Sequence, residues 1–386
     1  MVKKENICDV YYGRTLITII SVMALLEKKK NHNKKILYIS NNDQKVYKNH
    51  LNKKFLDFFK VFLKRYFDEI HYIDYSRNLR KKNNFFSKIF ERSKSIKLNH
   101  KKIDFKIKKN FKISNVYAGG DDFENTLLNE LGYFPKFHYL EHGYGPLRDS
   151  IYFPVKLKHL MFKYLIKFFY HIRIISYYPI RYQSYVGVLG KFISNKKFFN
   201  YESINKNNDI NLNNILSKLS KYVERKKKIK KNKLNYVLFC YVAFSISKEK
   251  KEFNDLLNKI SSLIDKKKEC VLIKGHPVYS SIETKKFVKS MIVFFKKNKI
   301  KYQLISKDSF LKDMPAQIIV KLYKIKKVFS DLSTVPFHLG DAKKNIKCYL
   351  PLNYALKNQS HDLYKTRDEK FKDFFYKIGR NVTFIK

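Results

Sequence analysis

The sequence predicts an α/β fold made of two parallel-sheet domains that face each other across a cleft. In both halves of the chain, short apolar runs of strand-like composition alternate with longer stretches of helical spacing. Such alternation is typical of parallel sheets covered by helices on both faces. The length of 386 residues fits two domains of about 150–200 residues each. A hydrophobic fraction of 44% indicates a globular chain rather than a disordered one.

Residues 1–200 are interpreted as the first Rossmann-like domain. Its apolar stretch Leu16–Leu26 is shorter than the roughly 20 residues that a membrane span needs. No small-x-small cleavage site follows it, so we interpret it as a buried helix rather than a signal peptide. The predicted strands are Asn6–Tyr12, Lys35–Ser40, Glu69–Asp74, Ile113–Ala118 and Phe137–Leu140, and the predicted helices are Thr15–Lys29, Val46–Phe67 and Phe123–Leu131.

The segment Ile151–Tyr178 is apolar almost all round but carries a basic stripe on one helical face. The stripe consists of Lys156, Lys163, Lys167 and His171. This pattern is typical of an interfacial helix that rests on anionic lipid. A helix packed against the sheet with its lysines in water gives the same pattern, and periodicity does not separate the two.

Residues 201–235 are Asn-rich and then strongly basic, which predicts a linker with one polar helix. Residues 236–386 then repeat the βα alternation as a second Rossmann-like domain. Its predicted strands are Tyr236–Val242, Val271–Lys274, Tyr302–Ser306, Lys327–Ser330 and Lys347–Leu350, and its predicted helices are Glu249–Lys266, Thr284–Lys297, Ala316–Lys324 and one that begins at Thr334.

The net charge of +49 suggests a nucleic-acid binder at first sight. However, Lys, Asn, Ile, Phe and Tyr are all in excess, while Trp is absent. That joint skew is typical of AT-rich coding, which accounts for much of the lysine without any partner. The remaining charge predicts attraction to anionic surfaces or acidic polymers, and no specific nucleic acid is expected.

The four cysteines are widely spaced and form no CxxC pair. We therefore expect buried free thiols in a reducing compartment rather than disulfides or zinc ligands. No DxD triplet or cluster of metal-ligand spacing is visible, so the sequence predicts a metal-independent protein without a cofactor.

Three polar segments stand at the predicted ends of strands. These are Glu141-His142-Gly143, Gly275-His276-Pro277 and Ser330-Asp331-Leu332-Ser333-Thr334. Because α/β folds bind ligands at the carboxyl ends of their strands, the three segments are expected to line the cleft between the domains.

In their order along the chain, these segments resemble the motifs of bacterial sialyltransferases, and most of all the capsular polysialyltransferases. The family has an acidic-acidic-Gly motif, an HP motif and a Ser/Thr pair, and Asp313-Met314-Pro315-Ala316-Gln317 resembles its Pro-x-Glu segment. The resemblance implies a GT-B fold, with a CMP-sugar donor in the second domain and a glycan or glycolipid acceptor on the first.

The chemistry of such a transfer assigns roles to these residues. The leaving phosphate needs stabilisation, and His276 is suited to donate a proton or hydrogen bond to it. Pro277 fixes the local backbone. Ser333 and Thr334 would supply hydroxyls and helix N-terminal N–H groups for phosphate, although the same residue types are ordinary N-caps.

The base that takes the proton of the acceptor is either Glu141 or His142. The family has two acids here, and this sequence has His142 in the second place. Gly143 permits the tight loop that follows. Gln317 likewise replaces an expected Glu, and its carbonyl can still accept from ribose hydroxyls.

The sequence therefore predicts an inverting sialyltransferase-like enzyme that builds capsule or lipopolysaccharide. It would work in the cytoplasm, peripherally on the anionic surface of the inner membrane. CDP-glycerol glycerophosphotransferases share a strand-end HP and an Asp-x-Ser-Ser/Thr segment, which leaves that activity as an alternative. The third hypothesis is a basic protein that binds membranes or nucleic acid and has no catalytic activity.

Overall fold

The structure is a computed structural model of the 386-residue chain. It describes residues 7–13, 15–28, 32–41, 53–74, 111–118, 136–140, 182–187, 206–209, 212–227, 229, 234–241, 246–247, 249–275, 282–305, 310–331, 333, 335–340, 346–358, 376 and 382–385. The chain divides into two compact units, Met1–Ile210 and Asn211–Lys386.

The first unit is built on a seven-stranded sheet in the order β3-β2-β1-β4-β5-β6-β7, and every neighbouring pair is parallel. Its strands are β1 (Ile7–Gly13), β2 (Lys34–Asn41), β3 (Glu69–Asp74), β4 (Lys112–Ala118), β5 (Lys136–Leu140), β6 (Tyr182–Gly187) and β7 (Lys206–Asp209). The chain builds the sheet outward in both directions from β1, as in a doubly wound fold.

Two helices of the first unit are described, α1 (Leu16–Lys28) and α2 (Lys53–Leu63). Helix α1 contains the predicted apolar stretch and buries most of its residues. The Thr15 hydroxyl accepts a hydrogen bond from the Thr18 N–H at 3.3 Å, as an N-cap side chain does. None of the described helices is long and apolar enough to span a membrane.

Aromatic rings form two rows across the first sheet, one on each face. Tyr11 and Tyr12 follow each other in β1, so their side chains point to opposite faces. Tyr11 stacks on Tyr117 of β4 at 4.8 Å between ring centroids, and Tyr117 stacks on His138 of β5 at 4.5 Å. The strand register aligns these rings, because Tyr11 pairs with Tyr117 and Tyr117 with His138.

The second row runs the other way across the same sheet. Tyr12 of β1 stacks on Tyr38 of β2 at 5.9 Å, and Tyr38 stacks on His71 of β3 at 5.1 Å. Register partners again meet in this row. Both rows end on a histidine, and each one joins three adjacent strands.

A chain of polar side chains accompanies the first aromatic row. The buried Asp9 carboxylate accepts hydrogen bonds from the side-chain amides of Asn33 at 3.1 Å and Asn115 at 2.8 Å. His138 continues the chain, with Nε2 3.1 Å from the side-chain oxygen Oδ1 of Asn115 and Nδ1 2.6 Å from the Ser184 hydroxyl. These bonds connect β1, β4, β5 and β6, and they satisfy polar groups that would be costly to bury alone.

The second unit is built on a six-stranded parallel sheet in the order β10-β9-β8-β11-β12-β13. Its strands are β8 (Asn235–Tyr241), β9 (Glu269–Gly275), β10 (Lys301–Leu304), β11 (Lys327–Ser330), β12 (Lys347–Leu350) and β13 (Val382–Phe384). Its described helices are α3 (Asn213–Lys227), α4 (Lys250–Ser262), α5 (Ile282–Lys297), α6 (Ala316–Leu322), α7 (Val335–Gly340) and α8 (Leu352–Lys357), with a short 3-10 turn at Phe310–Lys312.

The predicted fold class of two Rossmann-like parallel sheets is confirmed. The interval 201–235, predicted as a linker, contains the edge strand β7 of the first unit and helix α3 of the second. Helix α3 packs against α6, and the Lys321 ammonium donates to the Asn213 side-chain oxygen at 3.0 Å. All four cysteines are buried and free, as expected.

The sequence pattern did not predict three strands, β6, β7 and β13. The sequence of β7 is Lys-Asn-Asn-Asp, which has neither the alternation nor the β-branched residues of a typical strand. It becomes a strand by pairing with β6. Helix α4 ends at Ser262, short of the predicted Lys266. The predicted helices at 123–131 and 151–178 lie outside the described residues.

Candidate functional site

The carboxyl edge of the second sheet holds the first residues of two of the predicted polar segments, Gly275 and Ser330. Strand β8 pairs with β9 on one side and with β11 on the other. Strand order therefore reverses at β8, and the crevice beside such a switch point is where open α/β sheets bind ligands. Strand β9 ends at Gly275, directly before His276, and β11 ends at Ser330, directly before Asp331.

The register aligns one row of side chains near this edge. Cys240 of β8 pairs with Lys274 of β9 and also with Ser330 of β11. Because register partners point to the same face of a sheet, Lys274, Cys240 and Ser330 lie side by side across three strands. All three are buried.

In the next row of the register, the Tyr241 side chain lies close to the backbone of Gly275. Gly275 pairs with Tyr241, and a Cβ at position 275 would lie only 2.8 Å from the Tyr241 hydroxyl oxygen. No real Cβ tolerates that distance without movement of its neighbour. The Tyr241 ring thus covers the last residue of β9, immediately before the HP motif.

The segment after β11 folds into a tight turn held by its own hydroxyls. The Ser330 and Ser333 hydroxyl oxygens are 2.9 Å apart, and the Ser333 N–H donates to the Asp331 carbonyl at 2.7 Å. The Val335 N–H donates to the Ser333 hydroxyl oxygen at 3.2 Å. Ser333 is therefore an N-terminal cap of α7, which is one of the two roles that its residue type predicted.

Lys274 is the residue of this edge that sequence reasoning missed. Its side chain is 4% exposed, and its ammonium donates to the backbone carbonyls of Lys312 at 2.8 Å and Gly275 at 3.3 Å. One buried cation thus joins the end of β9 to the 3-10 turn before α6. The signal was a single lysine at the end of the apolar run Val271–Ile273, because lysine is almost never fully buried without a specific partner.

Burial dominates the electrostatics around Lys274. Desolvation lowers the pKa of Lys274 from 10.5 to about 8, partly offset by Cys240 and Asp313. Desolvation also raises the pKa of the Cys240 thiol to about 12 and raises the pKa of the Asp313 carboxyl, against the lowering by Lys312 and Lys274. The cluster therefore holds one cation whose charge changes close to neutral pH.

Gln317 lies in α6 with its side chain 3% exposed. Its amide nitrogen is 3.0 Å from Nδ1 of His338 in α7. This contact ties the two helices together inside the second unit. Contact between Gln317 and a nucleotide stays a prediction.

The remaining predicted site residues lie outside the described residues. They are Glu141, His142, Gly143, His276, Pro277 and Thr334. Strand β5 ends at Leu140, where the sequence predicted, and β9 ends at Gly275, one residue beyond the predicted Lys274. Their own positions and roles therefore stay predictions.

Two further observations concern the described part of the chain alone. No group of three His, Cys, Asp or Glu side chains there is placed to hold a metal ion. A surface pocket lies beside the first turns of α4 and α8, with Glu252, Asp255 and Tyr354 in its wall. None of the predicted donor-site residues that the structure describes lines this pocket.

No protein-family model matches the chain, and no curated protein matches its sequence. Among solved structures, the UDP-GlcNAc 2-epimerase from Methanocaldococcus jannaschii is similar in fold. It aligns with a TM-score of 0.51 and 12% identity over 98% of this chain and 88% of the epimerase. The chain has the GT-B fold.

Two transferases of the GT-B type align less closely. The α/β-galactoside α-2,3-sialyltransferase of the luminous marine bacterium Photobacterium phosphoreum has a TM-score of 0.46 and 12% identity, over 99% of both chains. The ADP-heptose lipopolysaccharide heptosyltransferase II of E. coli has a TM-score of 0.42 and 9% identity, over 98% of this chain and 90% of the enzyme. Likeness at this level carries no argument about activity, and a shared fold does not imply a shared function.

Proposed function

We propose that this chain is an inverting glycosyltransferase that moves sialic acid or a related acidic sugar from a CMP-sugar to a surface glycan. The observation that supports the proposal is that two motif segments begin at one edge of the second sheet, on either side of β8. Gly275, which precedes His276-Pro277, and the Ser330–Ser333 turn both adjoin the end of β8. The sequence places 54 residues or more between them, so local structure alone does not explain that both begin at this edge.

In the proposed reaction, an acceptor hydroxyl attacks the anomeric carbon of the donor sugar as the bond from that carbon to the CMP phosphate oxygen breaks. Glu141 or His142 takes the proton of the hydroxyl. His276 donates a proton or hydrogen bond to the departing phosphate, and the hydroxyls of Ser333 and Thr334 stabilise the phosphate. Donor binding thus falls to the second unit and acceptor activation to the first.

The buried Lys274 connects two segments that adjoin the proposed donor site. Its ammonium fixes the carbonyls of Gly275 and Lys312, which brings the strand before the HP motif next to the segment before Gln317. Substrate-positioning groups must be rigid to be effective, and a buried charged hydrogen bond gives that rigidity. Lys274 is therefore a positioning residue in the proposal rather than a catalytic one.

The acceptor is proposed to be a capsule or lipopolysaccharide glycan at the cytoplasmic face of the inner membrane. The net charge of +49 favours a polyanionic acceptor and an anionic lipid surface. The segment 151–178 is the predicted contact with that surface. No metal, cofactor or specific nucleic acid is part of the proposal.

A thermal-shift screen of nucleotides tests the donor. A ligand that binds only the folded state raises the melting temperature, so CMP is expected to stabilise the protein more than CDP, UMP or GDP. A preference for UMP or GDP would refute the CMP assignment.

The catalytic role of His276 is tested by His276→Ala, with His32→Ala as the control because His32 is an exposed histidine of the first unit. We expect His276→Ala to lose donor turnover by roughly 10²-fold or more while CMP still shifts the melting temperature. The control is expected to retain wild-type turnover. Full activity in His276→Ala contradicts the mechanism.

A second candidate is transfer of glycerol phosphate from CDP-glycerol. The Asp331-Leu332-Ser333-Thr334 sequence favours it, because the glycerophosphotransferases share an Asp-x-Ser-Ser/Thr segment after a strand-end HP. Parallel hydrolysis assays with CMP-sialic acid and CDP-glycerol separate the two activities. Release of CMP from CDP-glycerol alone would replace the first proposal with the second.

A further inference from the structure

Helix α5 has two faces of very different character. Its inner face is aromatic and packs on the second sheet: Phe287 lies 6.4 Å from Phe239 of β8, and Phe295 lies 6.4 Å from Tyr302 of β10, between ring centroids. This packing fixes which face of α5 is turned to solvent. The exposed residues of that outer face are Ile282, Glu283, Lys285, Lys286, Lys289, Val293, Lys296 and Lys297.

Two exposed apolar side chains, Ile282 and Val293, lie along one line of the outer face of α5, here called the ridge, with lysines between and beside them. At about 100° per residue, Ile282, Lys289 and Val293 fall within about 40° of one another. The other four lysines flank this line within about 60° on either side. Ile282 is 67% exposed and Val293 is 66% exposed, more than any other large apolar side chain in the described part of the chain.

The edge strand beside α5 also carries an exposed apolar side chain. Strand β10 follows α5 in the chain and contacts it. Its last residue, Leu304, is 48% exposed. Three of the seven exposed large apolar side chains in the described residues therefore belong to α5 and β10.

The outer face of α5 carries five lysines and one acidic residue, Glu283. Its five lysines form no ion pair with any carboxylate that the structure describes. Helix α4 is the useful comparison, because its exposed face alternates lysines with acidic and amide side chains, as in Lys251, Asp255 and Lys259. A general excess of lysine in the sequence explains a basic surface, but it does not explain two exposed β-branched side chains among the lysines.

We propose that the outer face of α5 docks on an anionic lipid surface. The lysine ammonium groups would reach the headgroups while their stems and the ridge of Ile282 and Val293 lie in the upper acyl region. A soluble polyanion would be attracted by the same lysines, but it has no apolar region in which Ile282 and Val293 could be buried. This docking does not depend on the identity of the sugar donor.

Tryptophan fluorescence distinguishes lipid from soluble polyanion, because the chain contains no tryptophan. Val293→Trp places a single indole on the ridge. Val61→Trp is the matched control, because Val61 is a 62% exposed valine on α2 of the other unit. With vesicles of phosphatidylcholine and phosphatidylglycerol, the emission of Val293→Trp is expected to shift to the blue, and that of Val61→Trp is not.

Heparin serves as the soluble polyanion in the same assay, and no blue shift is expected with it. An unshifted Val293→Trp emission on phosphatidylglycerol vesicles to which the protein is bound would overturn the proposal. An equal shift in Val61→Trp would overturn it as well, because the contact would then not be specific to α5.

Co-sedimentation with vesicles tests the lysines. The triple change Lys285→Ser, Lys286→Ser and Lys289→Ser is expected to lower vesicle partitioning by roughly 100-fold, at about tenfold or less per lysine near an anionic surface. The control is the triple change Lys266→Ser, Lys267→Ser and Lys268→Ser, which removes the same charge from an exposed turn. Equal losses in the two triples would overturn the proposal, and retained thermal stability of both excludes misfolding as the cause.

Discussion

At the scale of single residues, the second unit is most unusual at Lys274. An ammonium group that is almost fully buried needs specific partners, and this one donates to two backbone carbonyls from different elements. Its desolvation makes its charge sensitive to pH in a range where most lysines are fully protonated.

The stability of the protein should therefore depend on pH through Lys274. The pKa of Lys274 is lowered from 10.5 to about 8 in the folded state. Between those two values the unfolded chain binds more protons than the folded one, so this group makes the unfolding free energy rise with pH. Relative to Lys274→Met, the wild type should gain about 3 kcal/mol between pH 7 and pH 10.5.

Urea denaturation of both proteins across this pH range measures the difference. Comparison with Lys274→Met cancels groups that the two proteins share, and the Cys240 thiol stays protonated because burial raises its pKa to about 12. Parallel stability curves for the two proteins would show that Lys274 keeps an ordinary pKa.

Gly275 gives a second prediction at the residue scale. A methyl group at this position would meet the Tyr241 hydroxyl at 2.8 Å and its Cζ at 2.9 Å. Gly275→Ala is therefore expected to cost about 1–3 kcal/mol. A double-mutant cycle with Tyr241→Leu should recover most of that cost, because leucine lacks the atoms that clash. If the free-energy changes of Gly275→Ala and Tyr241→Leu simply add, the cost of the alanine does not come from a clash with Tyr241.

At the scale of elements, the series of hydrogen-bonded side chains from Asp9 to Ser184 connects strands that are far apart in sequence. His138 is its central member, with one ring nitrogen bonded toward β4 and the other toward β6. Strand β5 ends two residues after His138, directly before the predicted base at Glu141. The hydrogen bonds of His138 thus help to fix the strand that would present the base.

Replacing His138 by leucine should destabilise the first unit. The Ser184 hydroxyl and the side-chain oxygen of Asn115 would each lose a partner, at a cost of about 1–3 kcal/mol. His71→Leu is the matched control, since His71 also stacks on a tyrosine but bonds to the partly exposed Glu69. Chemical denaturation should show the larger loss of unfolding free energy for His138→Leu. The opposite order would contradict the structural role of these hydrogen-bonded side chains.

At the scale of the whole molecule, the net charge of +49 sets the response to salt. A chain with so large an excess of one sign repels itself most in the compact state, and added salt screens that repulsion. We expect the melting temperature to rise as sodium chloride is raised from low to physiological concentration. A melting temperature that stays constant or falls over this range would show that local ion pairs outweigh the net repulsion.

The sequence by itself determined the βα alternation, the end of β5, the burial of α1 and the free cysteines, and it predicted the end of β9 to within one residue. These follow from hydrophobic pattern and residue type, which act over a few neighbouring residues. It also indicated which polar residues follow strands in the second half. It left two roles open for Ser333, phosphate binding and helix capping, and it did not predict that Lys274 is buried.

Only the tertiary structure decided the order of the strands, with β8 between β9 and β11. It also turned Lys-Asn-Asn-Asp into the edge strand β7 and placed α3 in the second unit. The physical reason is that pairing partners and burial are set by contacts between residues distant in sequence. A local pattern records which side chains are apolar, but not which strand or carbonyl will lie beside them.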